Sequence, residues 1–221
     1  GYIRKQRMPC CAVLVARGGQ VAHLSFQGAT EMGGKKPIDE QTIYRIYSMT
    51  KPVTSVAAMM LFEEGLLRLD HEVSRYIPEF GDVQVFAGGT AEAPKLEKPK
   101  RPMMVRDLFL HTSGITYAFL QQGPVDEIYR ARTIDYARHS GDLKSFCERV
   151  ASAPLVFSPG DRWNYSNSTD VLGRVVEVAS GMSLDEFFRK RIFAPLGMND
   201  TFFSVPADKI EGANLADAKT I

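Results

Sequence analysis

Two short motifs in this chain combine side chains that could do nucleophilic and proton-transfer chemistry. The first is Ser48-Met49-Thr50-Lys51. It stands where a strand-like pattern gives way to apolar residues at helical spacing, at Val53, Val56, Ala57, Met60 and Leu61. A serine at a helix start faces unpaired backbone N–H groups and the positive end of the helix dipole. Both favour an alkoxide-like nucleophile and an oxyanion beside it. Lys51 falls on the same face one turn later, within reach of the serine oxygen. Pro52 removes an N–H that has no helical partner in a first turn, although the residue before a proline is biased away from helix. The alternative is a serine cap followed by a solvated lysine, and chance alone gives roughly 0.7 such matches in this composition.

The second motif, Tyr165-Ser166-Asn167, is rarer, with about 0.15 matches expected by chance. It lies between a turn at Pro159-Gly160-Asp161 and a helical pattern that begins near Ser168. A loop held in that way can aim a polar side chain at a partner. The local alternative is that Tyr165 packs while Asn167 or Ser168 caps the helix.

The elements that must position these residues follow from pattern. Cys11–Ala16 and Val21–Phe26, joined by Gly18-Gly19, read as a β-hairpin. Residues 28–40 read as an exposed loop, and 43–47 as one more short strand. The nucleophile-bearing helix runs to a stop at Gly65, with Met59-Met60 in its core face. Residues 67–80 are irregular, with Pro78 as a breaker. Residues 88–102, with Gly88-Gly89, Pro94, Pro99 and Pro102, read as a surface loop. Helices are expected at 105–110, 145–153, 169–179 and 183–193, the last opening on the capping-box form Ser183-Leu-Asp-Glu186. Residues 201–205 read as a strand start. Strands, then a large helical block, then strand again predict an α+β protein. Its parts would be 1–47 in an α/β domain, a mainly helical 48–200, and 201–221 returning toward the α/β domain.

The 221 residues are 44% hydrophobic, with Lys+Arg 27 against Asp+Glu 26, for a net charge of +1. That composition is globular and gives no reason to expect nucleic acid or an anionic membrane as partner. The longest apolar runs have seven residues, Cys10–Ala16 and Val56–Phe62, so no membrane span is expected. The three cysteines lack metal or redox spacing and read as buried apolar residues in a reduced, cytoplasmic setting. Gly1 is not an initiator Met, so the true start is expected to lie upstream. His23, His71, His111 and His139 are scattered, which argues against zinc, and no other cofactor is expected. His111, before Gly114, reads as a cation at a helix end with a structural role. No G-x-S-x-G elbow occurs.

Together the two motifs resemble the serine β-lactamase and penicillin-binding-protein superfamily, in its class C β-lactamase-like branch. The likeness covers Tyr44–Pro52, Leu66–Phe80, Val105–Gly114, Phe157–Asn167, Asp170–Gly173 and Pro195–Met198, nearly the whole chain. Tyr165-Ser-Asn-Ser-Thr-Asp-Val-Leu-Gly173 after Trp163 is most similar to the carboxylesterases of β-lactamase fold known as family VIII. The resemblance implies an antiparallel sheet flanked by helices plus a mainly helical domain. It implies Ser48 as nucleophile, with its backbone N–H as half of an oxyanion hole, and Lys51 as proton shuttle. Tyr165, its pKa lowered by Lys51, would be the general base. Asn167 and Trp163 would contact the substrate, although Trp163 could equally pack under the Tyr165 loop. The substrate would be a small ester or lactam. A class C-type β-lactamase or D-alanyl-D-alanine carboxypeptidase, or a truncated domain without catalysis, are the other readings. The family's third motif, K-T-G, H-x-G or W-x-G on a later strand, has no counterpart here. Lys219-Thr220 is followed by Ile221 and is read as coincidence. The chain is therefore expected to lack the C-terminal strands and the second oxyanion donor, and to pair with the remainder of a longer protein.

Overall fold

A computed structural model describes residues 1–210. The chain divides into two compact units, residues 1–48 with 198 onward, and residues 49–197.

The first unit is built on a hairpin of β1 (Cys10–Arg17) and β2 (Gln20–Gly28), antiparallel, with Leu14 opposite Leu24 and a register shift between Val15 and Ala16. Gly18 and Gly19 both have positive φ, as a two-residue turn matching strand twist requires. At Gly28 a Cβ would lie 2.1 Å from the Pro9 carbonyl oxygen, so only glycine lets β2 pass so close to the start of β1. An apolar run such as Cys11–Ala16 would be expected to form a buried strand, but in β1 only Cys10 is buried, and Val13, Leu14 and Val15 are exposed. No strand forms at 43–47, where an irregular segment leads into a 3₁₀ turn, Tyr47–Met49. None forms at 201–205 either. That segment is a bend before the short helix α7 (Ala207–Ile210), because Pro206 opens a helical turn at the point where a strand would have continued. Lys219-Thr220 lies outside the described residues.

The second unit holds the main core. Helix α1 (Thr50–Glu63) buries Thr54, Ala57, Ala58 and Leu61 and ends before Gly65, whose φ is +74°. Val56 and Met59 face outward, so its buried stripe is narrower than the pattern suggested and Met59 is not core. Two 3₁₀ turns, Val73–Arg75 and Pro78–Gly81, fill the irregular stretch. Residues 88–102 are not simply loop: β3 (Val85–Gly89) pairs with β4 (Pro94–Glu97) around a bulge between Phe86 and Gly88. The sequence hid this hairpin because glycines and a proline supply much of its ladder.

Helices α2 (Val105–Phe109), α4 (Leu143–Ala151), α5 (Ser168–Ser180) and α6 (Leu184–Phe188, continued by a π turn to Phe193) lie where the periodicity put them. The Ser183 hydroxyl accepts the Glu186 N–H, as the motif there implied. Helix α3 (Pro124–Ala131) was not anticipated. It starts on a proline at its first position and buries Val125, Ile128 and Tyr129. Helix α5 packs against α1, α2, α4 and α6 and is the unit's central rod. Arg101 grips buried Asp107 with two bonds of 2.7 and 2.8 Å, and Asp107 also accepts the Met104 N–H at the start of α2. Burial pushes the Asp107 carboxyl up, but the guanidinium, the Met104 N–H and the Thr112 hydroxyl outweigh it and hold it below the usual carboxylate range. Cys147 is buried as expected, whereas Cys11 is only half-buried.

Candidate active site

The second unit gathers its candidate residues from three segments that are far apart in sequence. The first turn of α1 supplies Lys51. The loop between Asp161 and α5 supplies Trp163, Tyr165 and Asn167. The segment after α2 supplies His111 and Tyr117.

The last two segments are laced together through their backbones. Val156 N–H donates to the Gly114 carbonyl and Gly160 N–H to Thr112, both at 2.7 Å, and Asn164 N–H donates to His111 at 2.8 Å. Gly114 is required by this lacing: its φ is +85° and a Cβ would fall 2.2 Å from the Phe157 carbonyl oxygen. Two asparagine side chains add to the seam, Asn164 donating to the Ile115 carbonyl (2.9 Å) and Asn167 to that of Thr116 (3.0 Å). Asn167, buried at the N-cap of α5 without a side-chain cap, is therefore fixed from the start of the Tyr117 segment.

Tyr165 stands in the middle of an aromatic group. Its ring centroid is 5.0 Å from His111, 5.4 Å from Tyr117 and 6.4 Å from Trp163. Lys51 Nζ lies 4.7 Å from the centre of the Tyr165 ring and 5.8 Å from that of Tyr117. An ammonium at that distance is attracted by the ring quadrupoles. Trp163 is 67% exposed and covers only one edge of the group, so it presents a broad apolar surface to solvent.

The electrostatics divide along the same lines. Burial pushes the Asp170 carboxyl, in the first turn of α5, up to about 6, against the downward pull of Lys51. Burial, reinforced by Asp170 and Tyr165, pushes the Tyr117 phenol up, so it stays protonated. Burial and then Lys51 pull His111 down. His111 was expected as a helix-end cation. It lies past the end of α2, with φ +54°, and its environment favours the neutral ring instead. The sequence reading missed Tyr117 and Asp170. A polar residue in the first turn of a helix with a buried face was the available signal for Asp170; nothing local marked Tyr117.

Ser48 closes the first unit. It is exposed, in the 3₁₀ turn Tyr47–Met49, one residue ahead of the N-cap of α1, which is Met49 rather than the serine itself. Tyr47, just before it, has φ +41°, a left-handed conformation that costs a bulky residue about 1–3 kcal/mol and recurs where geometry is set for function. Among the described residues, no three His, Cys, Asp or Glu side chains cluster as a metal site, and no helix is long and apolar enough to cross a membrane.

A family model described as "Beta-lactamase" matches residues 1–216. Esterase EstB of Burkholderia gladioli is 35% identical over 204 residues, which is 91% of this chain and 48% of that protein. Lovastatin esterase of Penicillium rubens is 38% identical over 198 residues, 87% of this chain and 48% of that protein. Among solved structures, one titled "EstCE1, a hydrolase with promiscuous acyltransferase activity" superposes with a TM-score of 0.81 at 32% identity, covering 97% of this chain and 52% of that one. The chain thus spans about half the length of the curated relatives it matches. A match of this extent, with a mixed α and β fold of β-lactamase/transpeptidase type, establishes that the chain belongs to the beta-lactamase family.

Proposed function

We propose that the protein is a serine hydrolase that forms an acyl-enzyme at Ser48, and that it acts as a carboxylesterase on short-chain acyl esters. The observation that carries this reading is the Lys51 ammonium at 4.7 Å over the Tyr165 ring, on a helix whose chain leaves Ser48 three residues earlier. In this reading Tyr165, its phenolate favoured by Lys51, takes the Ser48 proton as Oγ forms a bond to the ester carbonyl carbon. The Ser48 backbone N–H supports the oxyanion. The carbonyl re-forms, the C–O bond to the alcohol breaks, and the proton held by Tyr165 goes to the leaving oxygen. Water then enters by the same path, giving up a proton to Tyr165 as its oxygen bonds to the acyl carbon; the bond from Ser48 Oγ to that carbon breaks, the proton held by Tyr165 returns to Oγ, and the acid leaves. Asn167 keeps the Tyr165 loop in register, and Trp163 offers the acyl chain an apolar wall. The esterase names of the two relatives support an ester over a lactam as substrate.

A fluorophosphonate label followed by intact mass and peptide mapping tests the reading. One adduct on Ser48 is expected, together with turnover of p-nitrophenyl butyrate above that of a chromogenic cephalosporin. Ser48→Ala should lose the label and reduce turnover by about 10⁴-fold or more. Its melting temperature should stay within a few degrees, because an exposed hydroxyl carries little packing energy. An unlabelled Ser48, or wild-type turnover in Ser48→Ala, would sink it.

A further inference from the structure

Beneath the Tyr165 loop runs a chain of buried hydroxyls. Ser113 Oγ lies 2.7 Å from Ser168 Oγ, which lies 2.6 Å from Ser166 Oγ, which lies 3.3 Å from His111 Nδ1. All three serines are completely buried. Each hydroxyl has one proton to give, so the direction of the chain can be worked out by counting.

Ser113 Oγ already accepts the Ile115 N–H at 3.1 Å, and Ser166 Oγ accepts the Ser168 N–H at 3.3 Å. Among the described residues, the Ser113 proton has no acceptor other than Ser168. Ser113 therefore donates to Ser168. Ser168, having accepted there, donates to Ser166, and Ser166 donates to Nδ1. The opposite sense, with a proton on Nδ1 driving the chain inward, leaves the Ser113 O–H buried with nothing to bond, a loss that folded proteins rarely tolerate.

We propose that His111 is a positioning residue, a neutral imidazole with its proton on Nε2, whose Nδ1 is the terminal acceptor of the Ser113–Ser168–Ser166 chain and so fixes the Tyr165 loop. The role rests on the hydrolase reading, since it serves the candidate base. The geometry gives His111 a hold on both sides of that base, through its ring on Ser166 and its backbone carbonyl on Asn164. Ser166 is the residue between Tyr165 and Asn167, and its hydroxyl is tied to Nδ1. The ring centroid lies 5.0 Å from that of Tyr165 and 6.3 Å from that of Trp163, and the His111 carbonyl receives the Asn164 N–H. Burial and the nearby Lys51 charge both oppose an imidazolium, which is the form the hydroxyl chain also excludes. His111 itself has φ +54°, a left-handed backbone of the kind found where a side chain is held in place by its surroundings.

Two substitutions suit that backbone and separate the acceptor from the space it fills. Asparagine tolerates positive φ and places Oδ1 near the position of Nδ1, while glycine adopts the conformation freely and offers no acceptor. His111→Gly should lower kcat about tenfold with KM within about threefold of wild type, as expected when a buried hydroxyl loses its acceptor. His111→Asn should restore kcat to within about threefold. Equal losses in both variants, or a loss in KM alone, would overturn the role. The second measurement needs no variant to fold or turn over. Nitrogen NMR of histidine-labelled wild-type protein at pH 7.5 should show an unprotonated Nδ1 and a protonated Nε2 for His111, and a protonated Nδ1 overturns the proposal. Failure of the hydrolase reading would appear separately, as an unlabelled Ser48 with the imidazole tautomer unchanged.

Discussion

Helix α5 is two structures in one rod. Its first turn, Ser168-Thr169-Asp170, is polar and closes over hydroxyls and Lys51, whereas the turns after it bury Val171, Leu172, Val175 and Val176. The apolar turns lie in a continuous core with Leu61, Phe146, Phe187 and Phe188. The same helix therefore serves opposite ends. Apolar burial stabilises at roughly 25 cal/mol per Å², and its loss is felt wherever it occurs. Buried polar groups add little net stability and cost a great deal if one partner is lost. Stability is concentrated on one side of the rod, and on the other side lies a polar arrangement that the stable side must hold in place.

The contrast is sharpest at Phe146. Phe146→Ala should destabilise by about 3–5 kcal/mol, since the site is completely buried and the surrounding helices cannot collapse fully. Urea denaturation reads it, and a loss below about 1 kcal/mol would mean the apolar side is not the anchor. Next comes Arg101→Leu, which leaves Asp107 buried without its guanidinium. With Arg101 itself a third exposed, a loss of about 2 kcal/mol at pH 7 is expected. Because the Asp107 pKa is held down in the folded state, its contribution is present above the ordinary carboxylate pKa and is lost as pH falls through the folded value. The gap between Arg101→Leu and wild type should therefore close on acidification, and a gap that persists at pH 3 would break this account.

Asp170 reverses the sign. Its folded pKa of about 6 lies above the unfolded one, so the folded state binds the extra proton between pH 4 and 6, and stability falls as pH rises through that window. Asp170→Asn, which mimics the protonated form, should raise stability at pH 8 by on the order of 1–3 kcal/mol and change it little at pH 4. A variant less stable than wild type at pH 8 would show that the carboxylate's partners outweigh its burial. The smallest effect belongs to the hairpin of the first unit. Leu14 is 60% exposed, and Leu14→Thr should leave the free energy of unfolding within about 0.5 kcal/mol of wild type.

Legibility followed the range of the interactions concerned. The β1–β2 hairpin could be read because Gly18-Gly19 fixes its turn locally. The frames of α4 and α5 could be read because each buries one face. The β3–β4 hairpin escaped because Gly88, Gly89 and Pro94 are residues that usually end strands, and α3 escaped because Pro124 in a Gln-Gln-Gly-Pro context reads as loop. In the site, Lys51 and Tyr165 were recognisable by motif. Tyr117 and the neutral state of His111 were not. Both depend on the backbone lacing of 111–116 onto 156–167, a contact across some fifty residues that no periodicity records. The outward face of α1 shows a third limit: an apolar residue such as Val56 declares a preference for burial without saying that anything covers it.

The packing of α1 against α5 also sets a clock. About 110 residues separate Lys51 from Tyr165, and at a synthesis rate of about 5–20 residues per second the first leaves the ribosome roughly 5–20 s before the second. Helix formation takes microseconds or less. During that interval α1 has the means to form but lacks the rod against which Thr54, Ala57 and Leu61 are buried. No growing chain shorter than the Tyr165 loop can bring the lysine and tyrosine together. The pairing of Lys51 with Tyr165 therefore waits for the later part of the helical unit.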